Sequence, residues 1–188
     1  MTTERHIKFG RQTALISFLL ATFVFGLYYL TSSEILLLTG YCFSIFIGLF
    51  NLGLILTIIF KAIYDKDNRK KLITVSGLML LNVPVMVLYC WFCIVLLDTM
   101  RITLTNPTKS TLTDINIIGC EPEHIFELSP GESKLVWVTI NVDCSIDMDY
   151  ILDGKRKKEM VFGYATGLMG QKITHIIGKQ EDGNFTQN

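Results

Sequence analysis

The sequence predicts two halves of different class: three transmembrane helices, followed by an antiparallel β-sandwich of about seven strands. Three observations carry this. Half of the 188 residues are apolar. Before residue 98 they form long uncharged runs, and after it they alternate with polar residues. Charge divides at the same place, since eight of the 17 Lys and Arg but only four of the 17 Asp and Glu precede residue 98. A coincident change of pattern and charge marks a domain boundary. The expected organisation is a transmembrane domain over 1–97, a β-sandwich over 98–178 and a polar tail over 179–188.

The first half holds three runs without Asp, Glu, Lys or Arg, at 13–30, 35–60 and 72–97. As helices they reach roughly 27, 39 and 39 Å, against a hydrocarbon core of about 30 Å. A helix satisfies its own backbone polar groups, which an irregular chain in lipid does not. The positive start MTTERHIKFGRQ also suits a signal peptide, but no small-x-small cleavage site precedes TSSE, so a retained span is expected.

Basic residues set the orientation. Arg5, Lys8 and Arg11 precede the first run, and only Glu34 follows it. Lys61, Lys66, Arg69, Lys70 and Lys71 cluster in the second loop. Basic loops stay cytoplasmic, which puts the N-terminus inside and the C-terminal domain outside the cytoplasmic (inner) membrane. The second loop reads as a topology signal or as a binder of anionic headgroups.

Gly40, Ser44 and Gly48 form a small-xxx-small face on the second run, and Thr22 and Gly26 a shorter one on the first. Asn51 and Asn82 lie about 5 and 4 Å to the cytoplasmic side of their run midpoints. Matched in depth on antiparallel helices, they are expected to hydrogen-bond each other, for about 0.6–2 kcal/mol; a polar substrate path is the alternative. Pro84 is expected to kink the third run.

The stretch YCWFC at 89–93 resembles a reactive Cys-x-x-Cys pair. Such pairs need a cation or a helix N-terminus to stabilise thiolate. Cys90 and Cys93 have apolar neighbours near a helix C-terminus, so they read as small hydrophobes among belt aromatics.

After residue 98 the apolar residues recur with period two in RITLTN, DINIIGC, HIFEL, KLVWVTIN, SIDMDYIL, EMVFGYAT and KITHIIG, separated by turn signals such as SPGES. Trp137 is the expected core aromatic. In YILDGKRKKEM, a two-residue Asp153-Gly154 turn would set Leu152, Tyr150 and Met148 opposite Lys155, Lys157 and Glu159. A three-residue loop with Gly154 as a bulge avoids that and aligns Ile146 with Met160, so the bulged loop is expected. The run Lys155, Arg156, Lys157 and Lys158 reads as a solvated hairpin tip beside Asp147 and Asp149, or as a patch for an anionic partner.

The segment LTNPTKSTLTDINIIGC…IFELSPGESKLVWVTI, within residues 101–140, resembles the front half of the immunoglobulin-like domains of bacterial envelope proteins. Those have a strand ending in Asn, a polar turn, an alternating strand, and L-x-P-G-E before the next strand. The resemblance implies an immunoglobulin-like sandwich, and such domains often serve as binding or spacing modules.

Cys120 and Cys144 sit at strand ends on the side expected to be oxidising, and are expected to form a disulfide. A soft-metal site using them with His124, Met148, Met169 or His175 is the rival. No nucleophile triad, phosphate-binding glycine loop or paired-histidine motif occurs. The sequon at Asn184 matters only where glycosylation occurs. The expected role is non-enzymatic, without cofactor or nucleic acid: an accessory or interaction subunit of an envelope complex, with the bilayer and another membrane or envelope protein as partners, and self-association left open. A thiol-redox or copper-handling membrane protein is one alternative. A membrane effector with a cytoplasmic ligand-sensing β domain is another.

Overall fold

The computed structural model describes residues 3–179. Apart from Lys179, the expected polar tail and its sequon lie outside the described residues. The chain divides into two compact units, residues 1–92 and 93–188.

The first unit is helical: α1 (Thr3–Thr31), α2 (Glu34–Tyr64), α3 (Arg69–Leu80) and the start of α4 (Asn82–Leu97). Three helices, with α3 and α4 counted as one, are long and apolar enough to cross a membrane. The helix α1 begins ten residues before the apolar run that announced it. Glu4 in its first turn suits the positive helix end, and Thr3 Oγ1 donates to Asp65 Oδ2 at 2.6 Å. Ile7, Gly10, Ala14 and Ser17 form its inner stripe. That stripe meets Ile55, Ile58 and Ala62 of α2 and Leu72, Val75 and Met79 of α3 in one buried cluster. A Cβ on Gly10 would stand 2.6 Å from Val75 Cγ1 and 2.9 Å from Ile58 Cδ1, so this glycine sets how closely the helices cross.

The third run breaks at Leu81, between α3 and α4. Pro84 explains the position: it has no N–H for the carbonyl four residues earlier, that of Leu80, and its ring crowds that carbonyl.

The second unit carries seven strands, as the alternation predicts: β1 (Thr99–Thr105), β2 (Leu112–Ile118), β3 (Glu123–Leu128), β4 (Ser133–Thr139), β5 (Cys144–Leu152), β6 (Lys155–Ala165) and β7 (Lys172–Ile176). They form two sheets, ordered β4-β1-β7 and β3-β2-β5-β6. One buried cluster draws on both, with Met100, Ile102, Leu104 and Val138 from the first and Ile115, Ile117, Ile146 and Met148 from the second.

Three expectations are corrected here. The pairing is not wholly antiparallel, because β7 runs parallel to β1. The connection from β6 changes sheets and is pinned on the way, with Leu168 N donating to Asp98 Oδ1 at 3.0 Å and Gly170 N to Leu97 O at 2.6 Å. It therefore delivers β7 to the free edge of β1, running the same way.

Trp137 is not a core residue. Val136 and Val138 are the buried set of β4, followed by Ile140 just past its end, and Trp137 faces outward, with the Arg101 guanidinium 5.9 Å from its ring centroid. Arg101 is its direct partner across β1 and β4. The strand alternates on both faces with apolar residues, and a cross-strand cation settles the aromatic on the outer one.

The β5–β6 hairpin takes the two-residue turn, not the bulged loop. Leu152 pairs with Lys155 and Asp147 with Met160, while Ile146 pairs with Phe162. Asp153 and Gly154 have φ of 51° and 72°, the paired positive values of a turn whose twist matches the strands. The charges opposite Met148 and Tyr150 are tolerated for two reasons: β6 is an edge strand on which Lys157 stays exposed, and Glu159 is met by His175 Nε2 and the Gly178 amide, each at 3.0 Å. The irregularity lies at the other end, between Cys144 and Asp147, and restores Phe162 and Ala165 to the core.

Candidate functional site

The first candidate is a groove in the helical unit. The break at Leu81 opens a cavity of about 130 Å³ between α1, α2 and the α3–α4 junction, with Asn51 and Asn82 on its walls. Each amide uses its N–H group on α1. Asn51 Nδ2 donates to Ser17 Oγ at 3.1 Å and to Ile47 O at 2.9 Å, and Asn82 Nδ2 donates to Ala14 O at 3.0 Å. The expected Asn51–Asn82 hydrogen bond is thus replaced by two bonds to α1. A helix carbonyl keeps a second lone pair, and Ser17 is a small hydroxyl on the inner stripe, so α1 outcompetes the opposite amide. Asn51 is 8% exposed, and its Oδ1 is buried without a partner among the described residues.

The small-residue face divides. A Cβ on Gly40 would lie 3.1 Å from Val24 Cγ1 of α1, whereas one on Gly48 would meet nothing within 4 Å. Ser44 donates to the Gly40 carbonyl at 2.7 Å and, with Gly48, borders the groove. Gly26 also faces open space. Thr22 donates to Phe18 O at 2.8 Å and shares a 2.7 Å hydrogen bond with Tyr89 of α4, whose ring stacks on Phe25.

The second candidate is the outer face of the four-stranded sheet. The basic hairpin is largely occupied by its own acids: Arg156 bonds Asp149 at 2.7 Å and also Asp114, and Lys158 meets Asp147 at 3.0 Å. His124 Nε2 lies 3.1 Å from Asp114 Oδ1, and Asn116 Nδ2 donates to Asp149 at 2.9 Å. Hydrogen bonds from His124 and then Arg156 hold the Asp114 carboxyl below the usual carboxylate range. Beside this lattice Phe126 is 82% exposed, edge-on to the His124 ring. Neither Phe126 nor the central role of Asp114, at φ 49°, was legible beforehand; the only sequence signal is an aromatic at a polar strand position.

Cys120 and Cys144 are joined, with Cα atoms 5.5 Å apart. Cys42 of α2 and Cys90 are exposed, and Cys93 is half-buried. The proposed soft-metal ligands are dispersed: Met148 lies in the core, Met169 is exposed, and His175 Nε2 lies 3.0 Å from Glu159 Oε1. Among the described residues no three His, Cys, Asp or Glu are grouped to hold a metal.

Asp143 joins the β4–β5 turn to the end of β6. Thr166 and Tyr164 donate to its carboxylate and, in that order, hold its carboxyl below the usual range. Asp114 and Asp143 thus release protons at lower pH folded than unfolded. Their stabilisation is complete above the unfolded value, about 3.9, and is lost as pH falls through the folded values. The melting temperature of the native chain should therefore fall more steeply below pH 4 than that of an Asp114→Asn/Asp143→Asn variant. Parallel pH profiles would show that neither carboxylate is linked to folding.

No family model matches the chain, and no curated protein matches it. A similar solved structure, an NMR structure of a protein from Eubacterium rectale, is 17% identical, covering 42% of this chain and 76% of that one with a TM-score of 0.34. A likeness of that size carries no argument about fold or function.

Proposed function

We propose that the protein is a non-enzymatic, multi-pass protein of the cytoplasmic membrane that displays an immunoglobulin-like sandwich on the outer side, as an accessory or interaction subunit of an envelope complex. The observation that carries this is the Cys120–Cys144 disulfide, which lies in the half that the basic residues assign to the outside. Redox compartment and loop charge are independent signals, and they agree. Two sheets that share one apolar cluster support the sandwich. The exposed Phe126, beside a charge lattice that is satisfied within the sheet, is the kind of aromatic anchor a protein partner covers.

Labelling intact cells with a membrane-impermeant maleimide tests the arrangement. Without reduction, little label is expected on any cysteine. After reduction, Cys120 and Cys144 should both react, and that signal should vanish in a Cys120→Ser/Cys144→Ser variant. Reaction of these two only after the membrane is permeabilised would place the β unit in the cytoplasm and overturn the proposal.

A further inference from the structure

The turns at the two ends of the β unit differ in chemistry. At the end remote from α4 the strands are joined by residues 106–111, 129–132 and 153–154, and none of these is a large apolar residue left exposed. At the end where α4 enters, Leu168 of the β6–β7 connection is 66% exposed, and Met169 beside it and Val142 of the β4–β5 turn are exposed too. The last turn of α4, from residue 93, belongs to this same unit. A helix leaves its final carbonyls without donors of its own. Here Gly170 N donates to the Leu97 carbonyl at 2.6 Å and Leu168 N to Asp98 Oδ1 at 3.0 Å. A Cβ on Gly170 would stand 2.3 Å from Leu96 O, so a glycine is needed for so close an approach. Bond lengths then put the Met169 Cα within about 5 Å of the Leu97 carbonyl oxygen. The β4–β5 turn is held beside it: Ile140 N donates to Asp98 O at 2.8 Å, and Thr166 and Tyr164 hydroxyls donate to Asp143. Leu168 has φ of 65°, and Met169 N donates to Thr166 O at 3.1 Å, which makes Leu168 the third residue of a tight turn. That position ordinarily takes Gly or Asn. A leucine held there is strained without joining the core.

Leu97 ends an uncharged run that begins at Leu72, straight after Lys70 and Lys71. As a helix that run reaches at most roughly 39 Å, whereas a bilayer with its headgroup layers is about 40–45 Å thick. Untilted, it brings Leu97 into the headgroup layer, and tilt lowers it further. We propose that Leu168, Met169 and Val142 dip into the lipid interface at that end of α4, so that the β unit is seated on the bilayer instead of standing off it. This rests on the helices lying in a bilayer, and not on which side carries the β unit. The acids closest to the patch are already satisfied, Asp98 by the Leu168 amide and Asp143 by two hydroxyls. Glu121 and Lys172 stay exposed at the same end, which confines the contact to the boundary between headgroups and acyl chains.

The test uses the full chain in phosphatidylcholine vesicles, with Trp91→Phe and Trp137→Phe as background. One reporter is then placed by Leu168→Trp, by Val142→Trp or, at the remote end, by Lys109→Trp. Formation of the Cys120–Cys144 disulfide shows that each chain is folded, and Met169→Trp replaces Leu168→Trp if that chain fails to form it. Emission from the Leu168→Trp and Val142→Trp chains should be blue-shifted. It should be quenched more by phosphatidylcholine brominated near the headgroup end of its chains than by lipid brominated near the chain ends. Lys109→Trp should be quenched by neither. Tryptophan itself favours interfaces, and the remote reporter carries that same bias, so it is the control. Equal quenching at all three positions, or none at Leu168 and Val142, overturns the proposal. A blue shift there without bromine quenching means that a protein surface or a second copy covers the patch, and overturns it as well. Alkaline carbonate extraction in parallel separates the two readings: release from the vesicles overturns the membrane assignment too, while retention with unquenched reporters overturns the interfacial contact alone.

Discussion

Replacing Cys120 and Cys144 together by serine is expected to cost the β unit about 3–4 kcal/mol, the value for closing a loop of this size in the chain-entropy model. The two cysteines are 24 positions apart. Between them the chain leaves β2, forms β3 in the same sheet, crosses to the other sheet as β4, and returns at β5. A bond across that excursion removes many open conformations from the unfolded chain and little from the folded one. For a unit of this size the loss corresponds to a fall in melting temperature on the order of 15–25 °C. It can be followed through Trp137 emission in a chain whose other tryptophan, Trp91, is replaced by phenylalanine. Reductant should lower the melting temperature of the disulfide-bonded chain by a similar amount and leave the serine variant unchanged. A fall below about 5 °C would show that the denatured chain is already held compact by other means.

Gly119→Ala is expected to be as damaging, for a reason that lies wholly in the backbone. Gly119 has φ of 129°, and a Cβ built there would stand 1.7 Å from the carbonyl oxygen of Ser145. The obstacle is main chain of β5, so no side-chain rotation relieves it. Either β2 and β5 separate at that end or the glycine backbone is forced elsewhere, at a cost on the order of 3 kcal/mol or more. The neighbouring residue is Cys120, so separation there should also slow formation of the disulfide. Gly131→Ala is the matching control: φ is 75°, but nothing lies within 4 Å of its Cβ, and only the left-handed conformation is charged, about 1–2 kcal/mol. Comparable losses at the two positions, by thermal unfolding and by the rate of thiol disappearance during refolding, would refute the steric account.

Local pattern made the strands legible, because each has apolar residues on one face and a turn signal after it. What local pattern does not encode is the partner. That β7 lies parallel against β1, that Trp137 faces Arg101, and that the Asp153-Gly154 turn prevails over facial matching all depend on residues far away in sequence. The hairpin shows the balance well: Met148 and Tyr150 are buried although Glu159 and Lys157 pair with them, since Lys157 reaches water from an edge strand and Glu159 is met by His175 and the Gly178 amide from beyond the hairpin. In the helical unit, Asn51 and Asn82 stood out as polar groups in apolar runs. Their partners did not, because a backbone carbonyl at Ala14 and a lone serine at Ser17 leave no mark in composition. The stripe Ile7, Gly10, Ala14, Ser17 was hidden by Arg5, Lys8 and Arg11 interleaved with it.

The position of β1 has a consequence for the order in which the chain is made. It is the central strand of its sheet, between β4 and β7, and Arg101 pairs with Lys172. One whole edge of β1 therefore waits for residues about 70 positions further along. At a synthesis rate of roughly 5–20 residues per second, that wait is on the order of 4–14 s. Throughout it the strand presents unpaired N–H and C=O groups, a template that any other extended segment can occupy. A ribosome stalled in this interval leaves a nascent chain with a sticky edge, so the segment carrying β7 acts as the closing clasp that ends the period of vulnerability to aggregation.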